Sequence, residues 1–234
     1  MSVAVLREDE AHMKIVAMVP ARMGSQRLKR KNLAEIDGLP LVAHALRKCL
    51  KSGRFESVWL NSEDQAFEEI ALSEGASFHH RPAHLGDNQA TSEQFVAEFL
   101  SNHECDYVVQ VHSIAPLLPQ ARISAFVDML VNTKPDTLLS VVDENLECMH
   151  NGQPVNFRFD QKTNSQDLDP VRRIVWAITA WKRSTYLTAF EAGQCATYAG
   201  RVELFPIDRF EGHVIKVQQD LDVARALHPV LANG

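Results

Sequence analysis

The strongest constraint on this chain is a rhythm: short apolar runs alternate with amphipathic stretches from Lys14 to Val142. Lys14–Val19 (KIVAMV) is nearly continuously apolar, as a parallel strand covered on both faces must be. A basic loop follows, then a helix over Leu39–Ser52 whose Val42, Ala45, Leu46 and Cys49 share one stripe, with Gly53 as C-cap. Strands are expected at Ser57–Leu60, Ser77–His80, Tyr107–Val111 and Asp136–Val142. Between them the pattern predicts a helix capped by Ser62 and ended by Gly75, one opened by Ser92, and one over Pro119–Val131. Alternation at this spacing implies βαβ units, hence an α/β fold with a mainly parallel sheet and helices on both faces.

The rhythm lapses between Asp143 and about Arg173, a polar stretch that reads as an insertion or as an arm packing on another subunit. It resumes with apolar Ile174–Trp181, a helix from Ser184, a strand over Val202–Phe205 and a closing helix over Gln219–Leu231. Residues 1–12 read as a charged leader, and residues 13–234 as one domain.

Charge narrows the function. The chain carries 24 Lys+Arg against 30 Asp+Glu, a net −6, which disfavours a nucleic-acid binder. No apolar run approaches the roughly 18 residues of a membrane span, and the acidic start is unlike a signal peptide, so the expected location is cytoplasmic. Cys49, Cys105, Cys148 and Cys195 form no CxxC pair, and no HxH pair suggests zinc.

Against that acidity, Pro20–Asn32 holds Arg22, Arg27, Lys29, Arg30 and Lys31 without one acid. The loop follows the first strand, at the carboxyl edge where open α/β sheets bind ligands. Like charges in one loop repel unless an anion neutralises them. Gly24 and Ser25 would let backbone amides approach phosphate oxygens, Arg22 could grip a phosphate with two parallel bonds, and Lys31 supplies a compact charge. The segment reads as a polyphosphate site, with a solvated basic turn as the plainer alternative. Neither GxxxxGK[ST] nor GxGxxG is present.

VPARMGSQRLKRKN (19–32) resembles the (I/V)PAR-x-GS-x-R-x-x-x-KN signature of the cytidylyltransferases that activate acidic sugars, the CMP-N-acylneuraminate synthetases, with the CMP-Kdo synthetases as cousins. Weaker echoes follow in LNSEDQAFEEIA, RPAHLGDNQATSEQF, YVVQVHSIAPLL, QDLDPV and QQDLDVARAL. The resemblance implies a Rossmann-like nucleotide-diphospho-sugar transferase fold, a homodimer formed through an arm within residues 145–180, and Mg²⁺ as cofactor. The implied reaction transfers CMP from CTP to the anomeric hydroxyl of an acidic keto-deoxy sugar, sialic-acid-like or Kdo-like, releasing pyrophosphate.

It also implies roles. Arg22 and Lys31 would hold the triphosphate, with Gly24, Ser25 and Arg27 beside them. Asn32 would help place the nucleotide, Arg81 would select cytosine, and Thr91 and Ser92 would line the same site or merely cap a helix. His112 stands where the family has a glutamine.

Other departures concern metal and sugar. Val214 and Lys216 occupy the places of two magnesium-binding aspartates, and a lysine is no ligand for a hard cation. Trp176–Ala180 and Ser165 replace sugar-region residues, where Arg172 or Arg173 could supply an anion contact or simply lie exposed. The metal ligands are therefore unassigned, and a catalytically impaired relative that binds a nucleotide or nucleotide-sugar as a sensor or scaffold is the alternative.

Overall fold

The computed structural model describes residues 13–231. The leader expected over residues 1–12 lies outside the described residues.

Seven strands form one sheet: β1 (Ile15–Pro20), β2 (Ser57–Ser62), β3 (Ser77–His80), β4 (Tyr107–Val111), β5 (Thr137–Glu144), β6 (Val171–Lys182) and β7 (Val202–Pro206). Their order is β7-β5-β6-β4-β1-β2-β3. All neighbours run parallel except β6, which is antiparallel to both β4 and β5. The six helices are α1 (Leu41–Ser52), α2 (Ala66–Ser73), α3 (Ser92–Asn102), α4 (Gln120–Thr133), α5 (Arg183–Glu191) and α6 (Gln218–Leu231).

The apolar run of β1 is explained by what covers it. Ile15, Ala17 and Val19 pack with Val42 and Leu46 of α1, Phe67 of α2 and Phe126 of α4. Val16 and Met18 point the other way, into a cluster with Val96 and Phe99 of α3 and Tyr186 of α5. A period-two strand buried on both faces must be apolar at every position. A third cluster fastens α6, through Leu221 and Ala224, to Ile36, Leu41 and Ile215.

Three details depart from expectation. Ser62 does not cap α2: it is the last residue of β2, paired with His80, and the Asp64 carboxylate accepts from the Ala66 N–H instead. Leu39 does not begin α1. It pairs with Ile36 across a turn in which Asp37 and Gly38 both have positive φ, 51° and 72°, the geometry that an Asp-Gly pair favours. The apolar run expected from Ile174 belongs to a longer strand that starts at Val171 and runs against its neighbours.

β1 and β4 are neighbours at the middle of the sheet, and the loops leaving their carboxyl ends lead to α1 and α4 on the same face, while the loop leaving β3 leads to α3 on the other face. That divergence leaves a crevice. No helix among the described residues is long and apolar enough to cross a membrane.

Candidate active site

The crevice is a cleft of about 430 Å³. The loop after β1 lends it Arg22, Ser25, Gln26, Arg27, Lys31 and Asn32; the loop after β4 adds His112, Ser113 and Ile114. Arg81 follows β3, Asn88 precedes α3, Phe95 projects from α3, and Lys216 arrives from the segment before α6. Five side chains in this lining are cationic and none is a carboxylate.

The loop is shaped by specific bonds. Arg30 adopts a left-handed conformation, φ 51°, and opens a short 3₁₀ turn over Lys31–Leu33. The side chain of Lys31 then reaches the Ile215 carbonyl, donating from Nζ at 3.0 Å. Burial, with Arg27 and Arg22 nearby, pulls the Lys31 ammonium below its usual range, so an anion there would be welcome. Asn32 is buried and joins two loops: its Nδ2 donates to the Arg22 carbonyl at 2.9 Å, and its Oδ1 accepts from Ser113 Oγ at 2.8 Å. Arg22 Nη1 donates to Asn88 Oδ1 at 3.1 Å and to the Asp87 carbonyl at 3.2 Å.

Arg81 forms the inner wall. It is 3% exposed, pairs with Glu63 at 2.8 Å, and donates to Asn61 Oδ1 and the Ala21 carbonyl, both at 3.0 Å. Burial lowers its pKa despite Glu63. Among the described residues its Nε is a buried donor with no partner, and its guanidinium carbon sits 4.9 Å from the ring centre of Phe95. A buried donor left unpaired behind a cleft wall gains a full hydrogen bond once a side-chain shift opens it to a ligand acceptor. Burial, with Lys31 beside it, depresses His112 to about 4, so its ring is neutral at pH 7.

Among the expected site residues, Arg22, Ser25, Arg27, Lys31, Asn32, Arg81 and His112 converge on the cleft. Gly24, Thr91 and Ser92 do not line it. Gly24 has open space where a Cβ would stand, and Thr91 is occupied in a reciprocal capping box with Gln94. Sequence reasoning missed Asn88, Phe95 and Ser113; only Phe95 carried a signal, as an apolar residue that the helical stripe of α3 absorbed.

A neighbouring recess of about 420 Å³ shares Lys216 with the cleft. Arg173, Arg209 and His213 line it together with Glu144 and Asp220. Both carboxylates are engaged. Glu144 accepts from Arg173, while Asp220 accepts from the backbone N–H of Lys216 at 2.7 Å and of Val217 at 2.9 Å. Burial works against the Asp220 charge, but these backbone donors hold its carboxyl below the usual range. Arg172 pairs with Asp143 at 3.3 Å.

Among the described residues no group of three or more His, Cys, Asp or Glu converges as metal ligands. The side chains around the cleft are mainly ammonium, guanidinium, amide and hydroxyl groups, and the two acids of the recess already bond protein through one oxygen each, Glu144 through Oε1 and Asp220 through Oδ2. This set does not fit a magnesium ion held by the protein.

The comparisons agree with this geometry. An N-acylneuraminate cytidylyltransferase of Oncorhynchus mykiss is 25% identical over 239 residues, covering 98% of this chain and 53% of its own length. The chain thus spans about half of that relative. A pseudaminic acid cytidylyltransferase of Campylobacter jejuni is 26% identical over 236 residues, covering 93% of this chain and 97% of the relative. The solved structure of CMP:2-keto-3-deoxy-manno-octonic acid synthetase complexed with CTP superposes with a TM-score of 0.69 at 18% identity, over 93% of this chain and 99% of the other. The fold, a mainly parallel seven-stranded sheet with six helices, resembles that of the nucleotide-diphospho-sugar transferases. With the cytidylyltransferase family profile matching residues 16–223, across the basic loop, Arg81, His112 and Lys216, this chain belongs to the cytidylyltransferase family.

Proposed function

We propose that this protein transfers CMP from CTP to the anomeric hydroxyl of an acidic keto-deoxy sugar, releasing pyrophosphate. The observation that carries the reading is a cleft lined by five cations and no acid, opening through Lys216 onto a second cation-lined recess. Phosphoryl-type transfer asks a protein for alignment and for stabilisation of spread negative charge, and both can come from such a lining.

In this reading Arg22, Arg27 and Lys31 take the triphosphate, and Ser25 and Asn32 keep the loop in place around it. Arg81 offers Nε to the base, Phe95 gives the base an apolar surface, and neutral His112 supplies a hydrogen-bonding nitrogen. The recess takes the acceptor, its carboxylate towards Arg209 and Arg173. Lys216 stands between the two, where the attacking oxygen meets the α-phosphorus. The acceptor oxygen forms the new P–O bond, the bond from the α-phosphorus to the bridging oxygen breaks, pyrophosphate leaves, and the hydroxyl proton passes to solvent.

The exposed apolar side chains of Leu146, Met149, Val155 and Phe159 support a homodimer arm within residues 145–180. The second reading, a nucleotide-binding relative without turnover, draws on the commitment of Glu144 and Asp220 to protein partners.

The test measures pyrophosphate release from CTP with a panel of keto-deoxy acids, alongside calorimetric CTP binding. Release with at least one acid, and none with neutral sugars, is the expected result. CTP binding without release across the panel would select the second reading, and no binding of any nucleoside triphosphate would end both.

A further inference from the structure

A second cleft, of about 580 Å³, lies on the far side of the segment that follows β4, between α1, the entry to α4 and the end of α6. Its basic side chains are Arg47, Lys48 and Lys51, against the single acid Asp37, in a chain of net charge −6. Two of the charges are answered within the protein: Arg47 by both oxygens of Glu74, and Asp37 by His228 at 2.6 Å.

Lys48 and Lys51 have no acidic partner among the described residues. Lys48 is deep in the wall. Its Nζ donates to the Pro116 carbonyl, leaving two of three N–H groups without a protein acceptor among the described residues. Burial brings its ammonium down to about 8. An ammonium buried with one neutral acceptor is unstable unless a further acceptor arrives. Leu39, Pro116 and Leu117 make the rest of this part of the lining apolar.

The wall is shared. Residues 112–114 face the nucleotide cleft, and Pro116, Leu117 and Pro119 face this one. Ala115 donates to the His112 carbonyl and Leu118 to that of Ala115, both at 3.2 Å, so the segment is a tight chain of turns. Its Ile114 carbonyl accepts from Ile215 at 2.8 Å, next to Lys216.

We propose that this second cleft binds a small organic anion, a phosphomonoester or carboxylate with an apolar body, its charged end on Lys48 and Lys51. Because Pro116 is bonded to Lys48 and Ser113 to Asn32 within one shared segment, we infer that occupancy of either cleft changes affinity at the other.

Calorimetry with phenyl phosphate and with benzoate tests this on the full chain, with and without saturating CTP. At least one probe is expected to bind with Kd below about 1 mM. Binding of phenyl phosphate alone would identify the phosphate as the recognised group, of benzoate alone the carboxylate, and of both the charge itself. Lys48→Met keeps the apolar stem and should weaken binding by about tenfold or more, the usual loss for a charged hydrogen bond. Arg22→Ala, in the other cleft, should change it by less than about twofold. CTP should shift probe affinity by about fivefold or more, and the probe should shift CTP affinity by the same factor. If Lys48→Met does not fold, the exposed Lys51→Met gives the same reading with a smaller loss. The proposal is overturned if neither probe binds below about 10 mM, or if Arg22→Ala abolishes binding while the lysine variants keep it. Equal probe affinity with and without CTP would overturn the coupling.

Discussion

The two halves of the proposed site are built differently. On the nucleotide side, polar side chains are held by the protein itself: Asn32 is bonded at both ends, Arg22 is tied to the Asp87–Asn88 turn, and Arg81 is buried against Glu63. On the acceptor side, Arg209 and Lys216 are exposed, and Arg173 shares its charge with Glu144. The contrast teaches that the inner part of the nucleotide end, at Asn32 and Arg81, is preorganised, whereas the acceptor end rests on exposed cations. Preorganised donors cost nothing to reorganise at the moment of reaction, and exposed cations are screened.

The contrast would break first at Glu63. Glu63→Ala leaves the Arg81 guanidinium buried and uncompensated, a cost of about 3–5 kcal/mol. Thermal melting should fall by about 6 °C or more, at roughly 2–4 °C per kcal/mol for a chain of this size. A change within 1 °C or so would show that Arg81 is solvated in solution. Arg22→Ala should lower kcat/KM for CTP by about 10²–10³, the usual loss for one preorganised donor, with little change in melting temperature.

Acid should test the nucleotide side next. His112 has a folded pKa of about 4, below its ordinary value, so the unfolded chain binds the extra proton. Its stabilising effect is therefore nearly complete above about pH 6.5 and is lost as pH falls towards 4, amounting to about 2.5 kcal/mol by about pH 4.5. Melting curves across that window should show the decline, and His112→Gln should flatten part of it.

On the acceptor side, Arg209→Ala should raise the KM for the acidic sugar by about tenfold while the KM for CTP stays within about twofold. An equal rise in both would dissolve the distinction between the two halves. Smallest of all, Asp220→Ala removes an acceptor for two backbone N–H groups before α6 and should cost about 1 kcal/mol in chemical denaturation.

How much was legible beforehand varies by residue. The β1 run announced itself because burial on both faces leaves no polar position, and the charge of residues 20–32 was conspicuous against an acidic chain. Ser62 misled because serine is equally at home at a strand end and at a helix cap, and pairing with His80 decided between them. The Asp37–Gly38 turn was readable from its dipeptide and was overlooked in favour of the helical stripe. Nothing local marks Val171–Lys182 as antiparallel, since its direction depends on the end from which the returning chain enters the gap between β4 and β5.

The amino-acid order alone settled the succession of strands and helices and placed the cationic loop beyond the first strand, since periodicity and charge are written residue by residue. Which cations meet was decided only by the fold. Lys31 touches the carbonyl of Ile215, 184 positions away, and Arg81 Nε is left without a partner among the described residues only once Asn61, Ala21 and Glu63 have taken its other donors. Hydrogen-bond saturation and burial are properties of neighbours in space, and those neighbours exist only after the chain has closed on itself.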